Sequence, residues 1–168
     1  MTAKYYYSID TISGIKIGVI ASAKGIASII LKFKMLPEQY KGATRLQADD
    51  PYLFNIFPQL KEYFSGKLKK FDVPLDVEGT DFQLKVWNEL KKIPYGKTKS
   101  YKEIAEKLGD AKKIRAVGKA NGQNPVAIVI PCHRVIGADG KLTGYAAGLD
   151  IKEKLLLLEG ALSPELFD

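Results

Sequence analysis

Along the first third of the chain, apolar and polar positions partly alternate; along most of the remainder they recur at helical spacing. The stretches AKYYYSI (3–9), GIKIGVIAS (14–22) and GIASIILKF (25–33) are rich in Tyr and Ile with period-two character, the mark of half-buried strands. Ser13-Gly14 and Lys24-Gly25 supply turns between them, so the pattern predicts an antiparallel meander. In DDPYLFNIFPQLKEYFSGK (49–67), Leu53, Ile56, Leu60 and Phe64 fall at helical spacing and Asp50 before Pro51 is a helix start. Pro58 is expected to bend or break this helix, because a proline inside a helix lacks the N–H.

FDVPLDVEGTDFQ (71–83), with Pro74 and Gly79, reads as a linker. It divides the chain into a first domain, 1–77, and a second, 78–168. Thr80 and Gln83 form a capping box for a helix carrying Phe82, Val86, Leu90 and Ile93 on one face. Ser100 and Glu103 form another, opening a helix through Ile104, Ala105 and Leu108. After the Gly109-Asp110 turn a third helix is expected from 111 to 121, with Gly122 just past its end. Two short helices joined by a glycine turn read as a helix-turn-helix, and Asp139-Gly140 in GADGKLTGY predicts a hairpin, which would be a wing. A last helix, DIKEKLLLLEG, ends at Gly160, and its four consecutive leucines predict burial on more than one face. The fold class expected is α+β: a small N-terminal α/β domain of antiparallel sheet plus helix, then a C-terminal winged helix-turn-helix.

Charge sharpens this picture. Between Lys91 and Lys119 ten basic residues face only Glu103, Glu106 and Asp110, so the chain's whole net charge of +7 lies in that segment. A basic block over a helix-turn-helix favours a polyanion such as nucleic acid, although a lysine-rich solvated surface would have the same composition. One cysteine closes no internal disulfide, and one cysteine with one histidine builds no four-ligand zinc site. No metal or cofactor is expected. The start MTAKYYYSID has no signal-peptide pattern, and no run of about 18 apolar residues occurs. The expectation is a cytoplasmic protein without a membrane span.

The only cysteine and the only histidine are adjacent, in NPVAIVIPCHRVIG (124–137). A thiol is nucleophilic as the thiolate, so Cys132 needs a proton acceptor, and His133 is the one neutral-pH base available. In an extended segment the two side chains would face opposite ways, so contact requires a turn at Pro131 or a bridging water. Glu159, an acid beside four leucines, needs a partner if buried and is a candidate to orient the imidazole. Asn124-Pro125 is a turn whose asparagine could tie itself to the cysteine loop. A lone cysteine in apolar surroundings is more often an inert core residue, and a lone histidine more often structural. The adjacency alone leaves both readings open.

IPCHRVIG, with RAVGKANGQNP upstream and GYAAGLDIKEKLLLLEG downstream, resembles the active-site region of the O6-alkylguanine-DNA alkyltransferases, the methylated-DNA–protein-cysteine methyltransferases. The resemblance is close over about residues 80 to 160 and holds in outline before that. It implies direct-reversal repair of double-stranded DNA containing alkylated guanine, with O4-alkylthymine as a further substrate, by a monomer that flips the damaged base. Cys132 matches the alkyl acceptor, His133 the base acting through a water, and Glu159 the residue orienting it. Asn124 resembles the asparagine bridging the site, and Tyr101 the tyrosine that gives a hydrogen bond to the guanine ring. Arg115 resembles the arginine that fills the gap left by the flipped base. Ala116, Gly118, Lys119, Asn121 and Lys102 would meet the DNA. Pro131, Val135, Tyr145, Ala146 and Ala147 would form the alkylguanine pocket, with the Cys132 and Val135 carbonyls receiving the exocyclic amine. Lys152 matches a further family lysine without an assigned role.

The chain departs from the pattern in places. Ala127 stands where many members have proline, Ala146 where some have serine, and Asn121 and Gly122 where some have bulkier residues. A thioether product offers water no acyl carbon, and no second cysteine exists to relieve Cys132, so one turnover per molecule is expected. Two rival functions stand beside this one. A thiol hydrolase would need a base in direct contact with the thiol and an oxyanion hole, and a non-catalytic winged-helix DNA binder would need no reactive cysteine.

Overall fold

The structure, a computed structural model, describes residues 4–163. The outer ends of the two expected domains, 1–3 and 164–168, lie outside the described residues. Two compact units divide at Glu78/Gly79, and each is described by itself.

The first unit is a four-stranded sheet of order β3-β2-β1-β4. Strands β1 (Tyr6–Ile12), β2 (Ile15–Ser22) and β3 (Gly25–Leu31) form the antiparallel meander, with Tyr6 opposite Ala21 and Ile12 opposite Ile15. The first turn is the two-residue loop Ser13-Gly14, both at positive φ (53° and 78°); that conformation matches the right-handed twist of the strands it joins. The central strand β2 is buried on both faces except at Lys16, which explains why its apolar run is nearly continuous. A short β4 (Thr44–Arg45) adds in parallel to β1; two residues without alternation left no signal in the sequence.

The helix of this unit departs from its expected form. Asp50 does cap a turn, its carboxylate accepting from the Tyr52 N–H at 3.0 Å. That turn, Pro51–Leu53, is a separate 3-10 segment, and the chain breaks at Phe54 and Asn55, both left-handed, before α1 (Ile56–Phe64) begins. Pro58 breaks nothing, because it lies in the first turn of α1 where backbone N–H groups have no partner anyway. The buried face is Ile56, Phe57, Leu60 and Tyr63, with Phe64 only half-buried. Part of the expected linker is docked: the Ile26 N–H donates to the Pro74 carbonyl and the Asp76 N–H to the Ile26 carbonyl, each at 2.8 Å.

In the second unit both capping boxes are present, opening α2 (Asp81–Leu90) at Thr80/Gln83 and α3 (Tyr101–Lys107) at Ser100/Glu103. Each such cap stabilises its helix by about 1 kcal/mol. Asp110 caps a 3-10 turn at 111–113, and α4 (Ile114–Gly122) follows, Gly122 lying inside it rather than past it. Trp87 of α2 donates Nε1 to the Ala120 carbonyl of α4 at 2.9 Å. Strand β5 (Lys99–Ser100) pairs in parallel with β6 (Val135–Ile136), and α5 (Leu149–Leu158) closes the unit. The wing position is a turn, closed by the Gly137 N–H on the Lys141 carbonyl at 2.9 Å, and β6 pairs with β5 instead of entering a hairpin. No described helix is long and apolar enough to cross a membrane.

Candidate active site

The loop from α4 to β6 carries Cys132 and His133, and its backbone is tightly turned. The Val129 N–H donates to the Ala127 carbonyl at 2.8 Å across Ile128, whose φ is +71°. A β-branched residue in that region stores on the order of 1–3 kcal/mol of strain. Pro131 (φ −83°, ψ 64°) then makes a second three-residue turn, the Cys132 N–H donating to the Ile130 carbonyl at 2.8 Å. Cys132 to Arg134 follow as one 3-10 turn with all three residues buried. The chain therefore does turn at Pro131, which brings Cys132 and His133 out of extended geometry.

Two asparagines hold this loop. Asn124 donates Nδ2 to the Ile130 carbonyl at 2.7 Å and accepts from the Val126 N–H at 3.0 Å, so one side chain brackets both ends of the strained segment. Asn121, expected among the DNA-facing residues, is instead 4% exposed and donates Nδ2 to the Cys132 carbonyl at 3.4 Å. It lies on the same helical face as Val117, which packs inward, so it supports the cysteine turn and does not face solvent. Arg115, Ala116, Lys119 and Lys102 are exposed, and Gly118 is half-buried.

His133 Nε2 lies 2.7 Å from Glu159 Oε1, both side chains fully buried. Arg134 donates Nε to Glu159 Oε2 and Nη2 to Oε1, each at 2.9 Å, and Nη1 to the Ile93 carbonyl at 2.7 Å. Burial pushes the Glu159 carboxyl up, but the hydrogen bonds from His133 and Arg134 and the adjacent positive charge outweigh it and bring it down to about 2. An ionised carboxylate only accepts, so Nε2 must carry the imidazole proton. The lone pair is then on Nδ1, which is buried and has no hydrogen-bond partner among the described residues. Burial also lowers the His133 pKa, more than Glu159 raises it, so the ring is neutral and able to take a proton at neutral pH.

The Cys132 thiol is 7% exposed. Burial raises its pKa, opposed by Asn124, Lys152 and Tyr145, so in the free protein it is a thiol. The Tyr145 hydroxyl is buried without a well-aligned hydrogen bond, yet near enough to the thiol for burial and Cys132 together to raise its own pKa well above the usual value. Tyr101 donates its hydroxyl to the Thr143 carbonyl at 3.0 Å. Pro131 and Val135 are buried, Ala146 is exposed and Ala147 half-buried. The Val135 carbonyl accepts from Lys152 Nζ at 2.6 Å.

Arg134 was not among the candidates. The available signal was a guanidinium inside an apolar run, which has to find an anion. Among the described residues no group of three or more His, Cys, Asp or Glu could hold a metal ion.

Two family models match the chain: 6-O-methylguanine DNA methyltransferase, ribonuclease-like domain, over residues 5–77, and the DNA binding domain of the same family over 81–161. A methylated-DNA–protein-cysteine methyltransferase of Mycobacterium tuberculosis is 47% identical over 168 residues, covering 98% of this chain and 99% of that one. One from Methanosarcina acetivorans is 57% identical over 127 residues, 72% of this chain and 81% of that one. The crystal structure of Mycobacterium tuberculosis OGT in complex with DNA superposes with a TM-score of 0.83 at 41% identity, covering 97% of this chain and 99% of that one.

Proposed function

The chain belongs to the 6-O-methylguanine DNA methyltransferase family, and we propose that it repairs DNA by moving the alkyl group of O6-alkylguanine onto Cys132. The observation that carries this reading to particular residues is the buried Glu159–His133 pair, which leaves a bare Nδ1 lone pair beside the cysteine turn. A hydrolase would need that nitrogen on the thiol directly; Nδ1 makes no hydrogen bond to it, so the proton would pass through a water.

The alkyl carbon on O6 lies within the base stack, so the nucleotide must be extruded at a cost of a few kcal/mol. Arg115, exposed in the first turn of α4, is suited to occupy the gap. Lys102 and Lys119 are exposed on α3 and α4 and are suited to phosphate contacts. The Cys132 proton passes to His133 Nδ1, and the sulfur attacks the alkyl carbon in line. The carbon–sulfur bond forms as the carbon–O6 bond breaks, and the electron pair leaves on the guanine. Tyr101 would supply a hydrogen bond to the leaving base, exchanging its present acceptor, the Thr143 carbonyl, for the purine. The thioether formed has no route back, so each molecule acts once, as a monomer.

The experiment is incubation of the full chain with duplex DNA carrying O6-methylguanine, followed by mass mapping. One added methyl group on Cys132, with repaired guanine never exceeding protein, is expected. Product in excess of protein, or methyl on another residue, would overturn the reading.

A further inference from the structure

Lys152 is fully buried, 0% exposed, in the second turn of α5. A lysine is almost never buried without compensation. Here the compensation is three backbone carbonyls: Val135 at 2.6 Å, Thr143 at 3.0 Å and Gly144 at 3.3 Å. An ammonium has three donor positions, and all three are engaged. The carbonyls belong to two separate segments. Val135 opens β6, directly after the turn that bears the thiol; Thr143 and Gly144 lie in the loop leading to Tyr145 and α5. The ammonium also lies 5.8 Å from the centroid of the Tyr101 ring.

We infer that Lys152 is a positioning residue for the transfer, holding the 143–145 wall against the cysteine turn when the Tyr101 hydroxyl leaves Thr143 for the guanine. The inference rests on the function proposed above. At present Thr143 accepts from both Tyr101 and Lys152, each at 3.0 Å. If Tyr101 were its only donor, moving that hydroxyl to the base would leave the carbonyl to water and untie the loop. With Lys152 in place the carbonyl keeps a partner and the wall keeps its position, so the hydroxyl is exchanged between acceptors at little cost. Burial lowers the Lys152 pKa to about 8, and an ionised Cys132 would pull it back up; reciprocally, the lysine charge favours the thiolate.

The test compares the full-length parent with Lys152→Met, close in length and without the charge. Trypsin cleavage after the exposed Lys141 in the free proteins reports loop release. It is expected to rise about tenfold or more, since proteolysis follows the population of the open form. The single-turnover rate at saturating O6-methylguanine duplex is expected to fall by about a hundredfold, the effect of a misplaced site wall. DNA affinity should change less than about threefold, because the Lys152 side chain is itself fully buried and offers no charge to a phosphate. A general loss of structure would instead weaken binding and rate together.

A folded variant with unchanged cleavage after Lys141, or with the parent's transfer rate, overturns the inference. If the variant fails to fold, the parent decides. Ammonium protons of Lys152 resolved by nitrogen-15 NMR and shielded from solvent exchange uphold the anchoring; exchange as fast as at surface lysines refutes it. Failure of the functional reading is a distinct result: there the parent itself transfers no methyl group.

Discussion

His133 and Glu159 meet at 2.7 Å in a fully buried contact, and that contact fixes which imidazole nitrogen is free. The carboxylate takes the proton-bearing Nε2, so the free lone pair is on Nδ1. Arg134 completes the arrangement by occupying both Glu159 oxygens, which prevents the carboxylate from turning. Replacing Glu159 with Gln puts an amide there that can also donate, so the opposite tautomer becomes available. Glu159→Gln and His133→Asn are each expected to slow single-turnover transfer by about 10²- to 10⁴-fold, the range for loss of general-base action. Rapid-quench measurement with a methylated duplex checks this; a rate within a few-fold of the parent would remove His133 from the mechanism.

The same pair sets a pH dependence of stability. The Glu159 pKa is lowered from 4.5 to about 2 in the fold, so its contribution is fully present above 4.5 and is lost as pH falls towards 2. The His133 pKa is lowered from 6.5, so the unfolded chain binds that proton first and stability also declines as pH drops below 6.5. Urea melts at stepped pH should show a decline in two stages, the lower of which is flattened in Glu159→Gln. Stability that rises on acidification from neutrality would contradict both assignments.

Methylated Cys132 should be less stable than the free thiol. The side chain is buried, the loop carries the strained Ile128, and Asn121, Asn124 and Lys152 hold its backbone in place. Forcing a methyl group into such a site costs about 1–3 kcal/mol. Thermal melting before and after stoichiometric reaction measures it, and an equal or higher midpoint in the product would show that the loop had room to spare.

Asn121 and Arg115 sit on one helix yet should behave differently. Asn121→Ala removes a buried donor from the Cys132 carbonyl, so about 1–3 kcal/mol of stability is expected to disappear while affinity for undamaged duplex persists. Arg115→Ala should leave the melting midpoint in place and slow transfer, because the side chain is exposed and the role proposed for it is to fill the gap left by the flipped base. Fluorescence anisotropy alongside thermal melts separates the two, and the opposite assignment would restore Asn121 to the DNA face.

What the sequence made legible was mostly local. Both capping boxes, the Ser13-Gly14 turn and the three long strands depend on residues a few positions apart, and they formed as the pattern predicts, except that the first strand runs Tyr6–Ile12 and not 3–9. Pro58 misled because its effect depends on where the helix starts, and the left-handed pair Phe54-Asn55 moved that start by several residues. At the site, Cys132, His133 and Glu159 were visible as rare residues needing partners. The roles of Asn121 and Lys152 were not, because each satisfies itself on backbone carbonyls of Cys132, Val135, Thr143 and Gly144, and Arg134 divides its donors between Glu159 and the Ile93 carbonyl. Carbonyls are present at every residue, and only the tertiary path decides which ones converge.

Trp87, the chain's sole tryptophan, is 3% exposed and bonded to the last turns of α4. Indole emission from this protein is therefore a one-channel signal from the second unit. Six of the nine tyrosines (Tyr5, Tyr6, Tyr7, Tyr40, Tyr52 and Tyr63) lie in the first unit, so tyrosine absorbance is weighted towards it. Recording the optical probes together on one heating ramp would show whether the halves come apart in concert or in sequence, with no label attached.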